Sequence, residues 1–321
     1  MTSLDVVGLG MATLDVLLRL ADLPTWERAS AVREFGLDGG GPVATACAAA
    51  ARLGARVGYV GTAGNDEAAE LKLRSLRESG VDLSRLIVRP RREDQVIIVY
   101  VNETTGERLF AGVDGFGCDP VRPEELDRGY LTSARYLHLD GSHPAAALQA
   151  ARWMHEAGRQ VCLDGHKTGG RPASPETVEL VREVDVLISG SGFARSLTGE
   201  DDPRRAAEAV LAVGPRLVVE TDGENGCLTT TADQHFHTPA FAVEVVDTTG
   251  AGDVFHGAYL VGLLRGWDLR TVARFASAAA ALSCTKLGGR HGIPTSAEVE
   301  AFLGNAGAVA GFPCDSGERA R

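Results

Sequence analysis

The hydrophobic and polar positions predict strands and helices that alternate along most of the chain. The apolar run Val6–Leu9 predicts a buried strand, and the Ala-rich segment from Pro42 predicts a helix that ends at Gly54. After Pro120, strand and helix patterns follow one another regularly. Such alternation is typical of a parallel sheet with helices on both faces. The pattern therefore predicts an α/β fold with a parallel central sheet.

Two segments do not follow this alternation, at about residues 13–37 and 95–113. Both have extended patterns, and the second reads as a hairpin joined by Asn-Glu-Thr-Thr-Gly. They predict a small β-rich lid inserted into a main domain that spans residues 1–303. The Gly-rich segment 304–321 predicts a loosely held C-terminal tail.

Composition and charge exclude several classes of partner. The formal net charge of −11 argues against a broad nucleic-acid surface and against an anionic membrane. No apolar run is long enough to span a membrane, and the N-terminus lacks the pattern of a signal peptide. The 6 cysteines are scattered, with no CxxC pair. Free thiols in a reducing cytoplasm are the simplest interpretation.

The stretch Gly-Ala-Gly-Asp at 250–253 carries the first chemical signal. It follows a Val-rich segment, Val243–Val246, that predicts a strand, and it precedes an apolar helix. Glycines at a helix start let backbone N–H groups approach an anion, and the helix dipole favours negative charge there. Asp253, in the first helical turn, is placed to accept a proton from a hydroxyl. Taken alone, the same residues also fit a tight turn with a capping carboxylate.

Further motifs identify a resemblance. The chain has "GGGPVATA" at 39–46, "ARLG" at 51–54, "GTAGND" at 61–66, "ETDGENG" at 220–226, "DTTGAGD" at 247–253 and "GGRHGIPT" at 288–295. In order and spacing these resemble the ribokinase-like, or PfkB-type, carbohydrate kinases over roughly residues 4–303. The resemblance implies a Rossmann-like sheet with a β-lid, and transfer of the γ-phosphoryl group of ATP to a sugar hydroxyl. It also implies Mg²⁺, a possible K⁺ site and a homodimer formed through the lid.

The resemblance assigns roles by position. Asp253 matches the general base, and the anion hole matches Gly250, Ala251 and Gly252. The positions that match substrate contacts are Asp15, Gly40, Gly41 and Thr45, with Asp140 as a possible addition. The positions assigned to the nucleotide are Thr221, Gly223, Gly226 and Lys167. Asp247 and Thr249 match the loop that holds a monovalent cation in many relatives. Asp140 and Asp164, each followed by glycine, fit a structural turn equally well.

Departures from the family pattern leave alternatives open. Thr45 stands where the family usually has Asn, and Gly190 and Phe193 occupy the positions of an N-x-x-E motif that orders magnesium-bound water. Asp164 and Asp222 are the candidates to compensate for its loss. The alternative is a sugar- or nucleotide-binding regulatory protein with little turnover.

The substrate is also open among ketodeoxygluconate-, fructose-, ribose- and nucleoside-type molecules. The motif wording is closest to the sulfofructose kinase branch. That branch's basic contacts would fall near Ala29 and at Gly141–His143, where the chain has no Lys or Arg. The sequence therefore does not predict a sulfonated substrate.

Three histidines carry weaker signals. His256 is predicted to pack against the sheet, although a place in the site is open to it. His235 and His237 alternate on a predicted strand without an evident third metal ligand.

Overall fold

The computed structural model describes residues 3–113, 119–165 and 170–309. In these residues the strands are β1 (Val6–Leu9), β2 (Thr13–Leu20), β3 (Val32–Gly40), β4 (Val57–Val60), β5 (Thr62–Ala63), β6 (Ile87–Val88), β7 (Val96–Asn102), β8 (Arg108–Gly112), β9 (Tyr136–Leu139), β10 (Gln160–Gly165), β11 (Val186–Gly190), β12 (Leu217–Thr221), β13 (Cys227–Thr230) and β14 (His235–Thr238). The helices are α1 (Pro42–Arg52), α2 (Glu67–Glu78), α3 (Arg128–Thr132), α4 (Pro144–Glu156), α5 (Pro175–Arg182), α6 (Phe193–Thr198), α7 (Pro203–Leu211), α8 (Ala251–Leu264), α9 (Leu269–Ser283) and α10 (Ser296–Val309).

The main sheet has 8 strands in the order β14-β13-β12-β11-β10-β9-β1-β4. Neighbours are parallel from β12 to β4, whereas β13 and β14 are antiparallel. A single 3₁₀ turn, Gly223–Asn225, joins β12 to β13, and parallel strands need a longer crossover. The α/β prediction is confirmed, with an antiparallel edge that the alternation of elements did not reveal.

Helices cover both faces of this sheet. Apolar residues of α1, α8 and α9 pack on one face, where Tyr59 and Phe275 are among the fully buried side chains. Residues of α4 to α7 pack on the other face around Leu137 and Leu187. This layering places the carboxyl ends of the parallel strands at one edge, which is where ligands bind in such folds.

A second sheet is formed by the two segments that broke the alternation. Its order is β3-β2-β7-β8. On its inner face Leu17, Val99 and Val101 pack with Leu287 and the half-buried Val246. Since both partners flank the Gly-rich motifs near the C-terminal end of the chain, the sheet lies over those motifs.

The outer face of this sheet is apolar and open to solvent. The registers align Phe35, Leu18, Tyr100 and Leu109 in one row across all 4 strands. Phe35 is 61% exposed and Leu109 is 54% exposed. We call these residues the outer row.

Two local predictions differ from the structure. The strand predicted over Val243–Val246 is wrong: the segment is irregular and is anchored by Val246 N–H, which donates to the Cys284 carbonyl at 2.8 Å. Valines favour extended backbone but cannot form a strand without a sheet partner. At the C-terminus, α10 continues to Val309, so the predicted tail begins inside a helix, and its residues 310–321 lie outside the described part. No helix of the described residues is long and apolar enough to cross a membrane.

Candidate active site

Close packing of α1 and α8 sets the position of the site. A Cβ on Gly257 would lie on the Ala46 carbonyl and 2.8 Å from Ala49 Cβ, so this glycine allows the two helices to approach closely. Gly41 caps the start of α1 and Gly250 caps the start of α8. The loop 288–291 contacts residues at both starts, so the structure brings together two motifs that lie about 200 residues apart in the sequence.

The start of α8 presents backbone N–H groups. Gly250 has the left-handed φ of 72°, and a Cβ there would come within 2.8 Å of Gly289 Cα. Ala251, Gly252 and Asp253 form the first helical turn rather than a separate turn before it. Gly252 is exposed and Asp253 is half-buried, whereas the helix is buried from Val254 to Gly262. The predicted base and anion hole therefore lie together at an accessible helix N-terminus.

Asp247 organises the segment before this helix. Its Oδ1 accepts hydrogen bonds from Thr249 N–H at 2.8 Å and from Thr249 Oγ1 at 2.7 Å. Its Oδ2 accepts one from Gly288 N–H at 2.9 Å. The carboxylate is buried, and in the described part of the chain no Lys or Arg forms an ion pair with it. The structure thus joins the two predicted cation-site residues directly.

On the opposite side, Asp15 is buried on β2. Thr13 Oγ1 donates to its Oδ1 at 2.6 Å. Burial is the main cause that raises the pKa of Asp15 to about 6; the nearby carboxylates of Asp38 and Asp247 act in the same direction, and Thr13 and Arg290 oppose them. A Cβ on Gly40 would overlap the Asp15 carboxylate. The predicted substrate residues Asp15, Gly40 and Gly41 are therefore adjacent, with glycine required beside the carboxylate.

Arg290 is a buried residue that the sequence analysis did not single out. Its Nε donates to Thr45 Oγ1 at 3.3 Å, Nη2 donates to the Gly40 carbonyl, and Nη1 donates to Ser75 Oγ at 3.0 Å. Its backbone N–H donates to Asp38 Oδ2 at 2.9 Å. Desolvation lowers its pKa, while Asp38 and Asp15 oppose the change.

The sequence carried one signal for Arg290, its place within "GGRHGIPT". A single arginine in a Gly-rich loop ordinarily has an exposed side chain, so the pattern did not indicate a buried one. The contact with Thr45 also gives the family-atypical threonine a structural partner.

Asp140 lies at the end of β9, as predicted, with both oxygens in backbone contacts. Oδ2 accepts from Met11 N–H at 2.8 Å and Oδ1 from Ser142 N–H at 2.9 Å. These contacts tie the strand end to the turn between β1 and β2, so the structure shows the turn role directly. The predicted substrate contact stays a prediction.

The predicted nucleotide residues lie at the end of β12. Thr221 Oγ1 donates to the Ser189 carbonyl at 3.2 Å, and Gly223 and Gly226 have φ values of 54° and 89°. A Cβ on Gly226 would overlap the Thr238 carbonyl, which explains the glycine. Lys167 lies outside the described residues.

The second sheet touches the Gly-rich segment through one hairpin. Arg108 Nη1 donates to Thr248 Oγ1 at 2.6 Å, and this hydroxyl donates to the Gly106 carbonyl at 3.2 Å. These bonds fix the sheet over the start of α8. The arrangement places the Asp253 carboxylate beside backbone N–H donors. The carboxylate can accept a proton, and the N–H groups can stabilise a transferred anionic group.

Comparisons with known proteins agree with this geometry. Residues 1–296 match the family model described as "pfkB family carbohydrate kinase". An ATP-dependent ribose-1-phosphate kinase of Halopiger xanaduensis is 30% identical over 93% of this chain and 97% of its own length. A ribokinase of Bacillus subtilis is 29% identical over 82% of this chain and 87% of its own length. The crystal structure of a Thermotoga maritima ribokinase is 27% identical, with a TM-score of 0.79, over 94% of this chain and 100% of that one.

Proposed function

The chain belongs to the pfkB family of carbohydrate kinases and is an enzyme that phosphorylates a sugar with ATP, and we propose that Asp253 is its general base. The observation that carries this proposal is the half-buried Asp253 in the first turn of α8, next to Gly250, Ala251 and Gly252. Asp253 accepts the proton of the sugar hydroxyl as its oxygen attacks the γ-phosphorus of ATP. The bond from that phosphorus to the bridging oxygen of ADP breaks. The N–H groups at the helix start stabilise the charge of the transferred group.

The sugar lies between the main sheet and the lid in this proposal. Asp15 accepts hydrogen bonds from sugar hydroxyls, and the backbone at Gly40 and Gly41 lies close enough to contact them. Thr45 contributes through its hydroxyl, which Arg290 orients. The lid excludes water, which would otherwise compete as the phosphoryl acceptor.

ATP would occupy the edge near Thr221, Gly223 and Gly226, with Mg²⁺ on its phosphates. Mg²⁺ neutralises phosphate charge and takes oxygen ligands, usually one or two carboxylates with several waters. The exposed carboxylate of Asp222 fits such an outer position. Asp164 is buried, so its carboxylate fits an outer position on the ATP phosphates less well than that of Asp222.

A monovalent cation at Asp247 and the Thr249 carbonyl is a further part of the proposal. Support comes from the buried Asp247 carboxylate, because a buried charge is stable only with compensation. K⁺ would provide that compensation from oxygen ligands.

We also propose a homodimer in the cytoplasm. The outer row leaves large apolar side chains exposed on a sheet face, and a second copy would cover them. The thiols of Cys47, Cys162, Cys227 and Cys284 are free, which suits the reducing compartment where ATP is available.

The first test is ADP release from Mg-ATP with sugars, sugar acids, sugar phosphates, sulfosugars and nucleosides. One class should turn over, and Asp253→Asn should reduce kcat by about 10²- to 10⁴-fold with ATP binding retained. The matched control is Asp233→Asn, an exposed carboxylate in the β13–β14 turn, which should leave kcat unchanged. Turnover with some class, but equal in Asp253→Asn, would reject Asp253 as the base. Saturable sugar binding without turnover in the wild type would favour a regulatory binding protein.

A further inference from the structure

Two histidines and one aspartate form a buried cluster beneath the catalytic helix. His138 lies on β9, Asp164 near the end of β10 and His256 on α8, with exposures of 0%, 8% and 3%. One ligand-type atom from each lies within 4.8 Å of those of the other two. We call these residues the His–Asp–His cluster.

The topology of the fold brings the three residues of the cluster together. β9 and β10 are parallel neighbours in which His138 lies opposite Cys162. Asp164 is two residues beyond Cys162, so its side chain projects from the same face of the sheet as His138. Helix α8 covers that face, and His256 lies one turn after Asp253.

The distances are close to those of a metal centre. His256 Nδ1 lies 3.3 Å from Asp164 Oδ2, and the two imidazole ring centres are 5.6 Å apart at an interplanar angle of 74°. Ligand atoms about 2.0–2.1 Å from a tetrahedral Zn²⁺ stand about 3.4 Å from one another, which places two bound imidazole ring centres about 5 Å apart. Shifts of about 1 Å would bring all three atoms into the coordination sphere.

We propose that the His–Asp–His cluster binds one divalent transition-metal ion of the Zn²⁺ type, separate from the Mg²⁺ that accompanies ATP. Two imidazole nitrogens and one carboxylate oxygen select such ions over Mg²⁺, which prefers oxygen ligands. The metal takes the place of the His256–Asp164 contact, and a water molecule completes the tetrahedron. The ion fixes α8 to the sheet one turn from Asp253.

A cavity adjoins the cluster on the side of Asp164. This residue lines a cavity of about 530 Å³ together with Asp140, Leu163, Arg171 and Phe193. In this proposal the ion enters from that cavity.

The test uses Co²⁺ as the probe on the untagged full chain after chelator treatment. We expect one Co²⁺ per chain, with the visible absorption of a four-coordinate site, persistence in excess Mg²⁺ and displacement by Zn²⁺. Zn²⁺ should also raise the Tm, because only the folded chain holds the three ligands together. Failure of the wild type to bind Co²⁺ or Zn²⁺ at stoichiometric amounts would overturn the proposal and leave a hydrogen-bonded cluster only.

Variants locate the ion. His256→Gln and His138→Gln should each weaken Co²⁺ binding by at least about 100-fold. The matched control is His237→Gln, which removes an exposed histidine on β14 and should leave binding unchanged. Equal binding in the cluster variants and the control would overturn the proposal.

If a cluster variant does not fold, a measurement on the wild type still tests the proposal. With Co²⁺ bound, its proton NMR spectrum should show strongly shifted ring N–H signals from two histidines. Shifted signals from fewer than two would overturn the proposal. None of these measurements depends on kinase turnover, so their failure is distinguishable from failure of the proposed function.

Discussion

At the residue scale, Asp15 shows that a buried carboxylate placed for binding lowers the stability of the fold. The carboxyl is buried beside Asp38 and Asp247, and burial raises its pKa to about 6. A folded-state pKa above the unfolded value of 3.8 means that the folded protein holds this proton more tightly. The ionised group therefore destabilises the fold above pH 6, and the penalty disappears as the pH falls towards 3.8.

Asp15→Asn should accordingly stabilise the protein while weakening sugar binding. The gain should be about 3 kcal/mol at pH 7.5 and about half of that at pH 5, since one pKa unit corresponds to about 1.4 kcal/mol. Urea unfolding of wild type and variant at both pH values measures the difference. Asp233→Asn should show no such trend. A gain of the same size at both pH values would contradict the assigned pKa.

Gly250 and Gly252 form a second residue-scale comparison within one motif. In Gly250→Ala, alanine would have to adopt a left-handed φ, and its Cβ would overlap the backbone of Gly289. A Cβ on Gly252 has no neighbouring atom within 4 Å. We expect Gly250→Ala to cost about 1–3 kcal/mol of unfolding free energy and Gly252→Ala to cost almost nothing. Urea midpoints of the two variants test this. Equal midpoints would show that the backbone strain is not present in solution.

At the scale of elements, the loop 288–291 connects parts that the chain order separates. Gly288 N–H donates to the Asp247 carboxylate, and Gly289 packs on Gly250. The Arg290 side chain donates to the Gly40 carbonyl at the end of β3, to Thr45 on α1 and to Ser75 on α2. One loop therefore sets the position of the phosphate side and of the sugar side together.

Arg290→Met should loosen this connection. It removes the buried positive charge that interacts with Asp38 and Asp15 and leaves the Gly40 carbonyl without its donor, so we expect a loss of about 3–5 kcal/mol and a higher KM for the sugar. The control is Arg33→Met, which removes an ion pair with Glu103 from a side chain that is 63% exposed. That variant should lose less than about 1 kcal/mol. Similar urea midpoints for the two variants would mean that Arg290 does not connect these elements.

At the scale of the whole molecule, we propose that the lid both covers the site and forms the dimer interface. Its inner face packs on Leu287 and Val246 beside the site, and its outer row is apolar and exposed. A sheet with one solvated apolar face is stabilised when a second copy covers it.

Phe35→Glu tests the dimer because it introduces a charge at the most exposed end of the outer row. The wild type should sediment at twice the chain mass of 33.7 kDa, and Phe35→Glu should sediment as a monomer. Val213→Glu changes an exposed valine outside the lid and should remain dimeric. A Phe35→Glu dimer of unchanged stability would place the interface elsewhere, and a wild-type monomer would reject the dimer itself.

The sequence by itself determined the features that depend on neighbouring residues. The strand Val6–Leu9, the helix from Pro42 and the hairpin joined at 102–106 have the expected positions, because periodicity, Pro and Gly act within a few residues. The motifs also predicted Asp15, Gly40 and Gly250–Asp253 as site residues. The glycines at 40 and 250 fit that prediction, since a Cβ would overlap the Asp15 carboxylate at one and the backbone of Gly289 at the other.

Only the tertiary structure decided what depends on distant partners. The segment 243–246 forms no strand because it pairs with no neighbouring strand in the structure, and β13 runs antiparallel to β12 because the link between them is short. Arg290 is buried because its partners lie 215 to 252 residues away, at Ser75, Gly40 and Asp38. His138, Asp164 and His256 meet because two strands and one helix pack there. Local pattern carries no information about such contacts, since packing brings the partners together only in the folded chain.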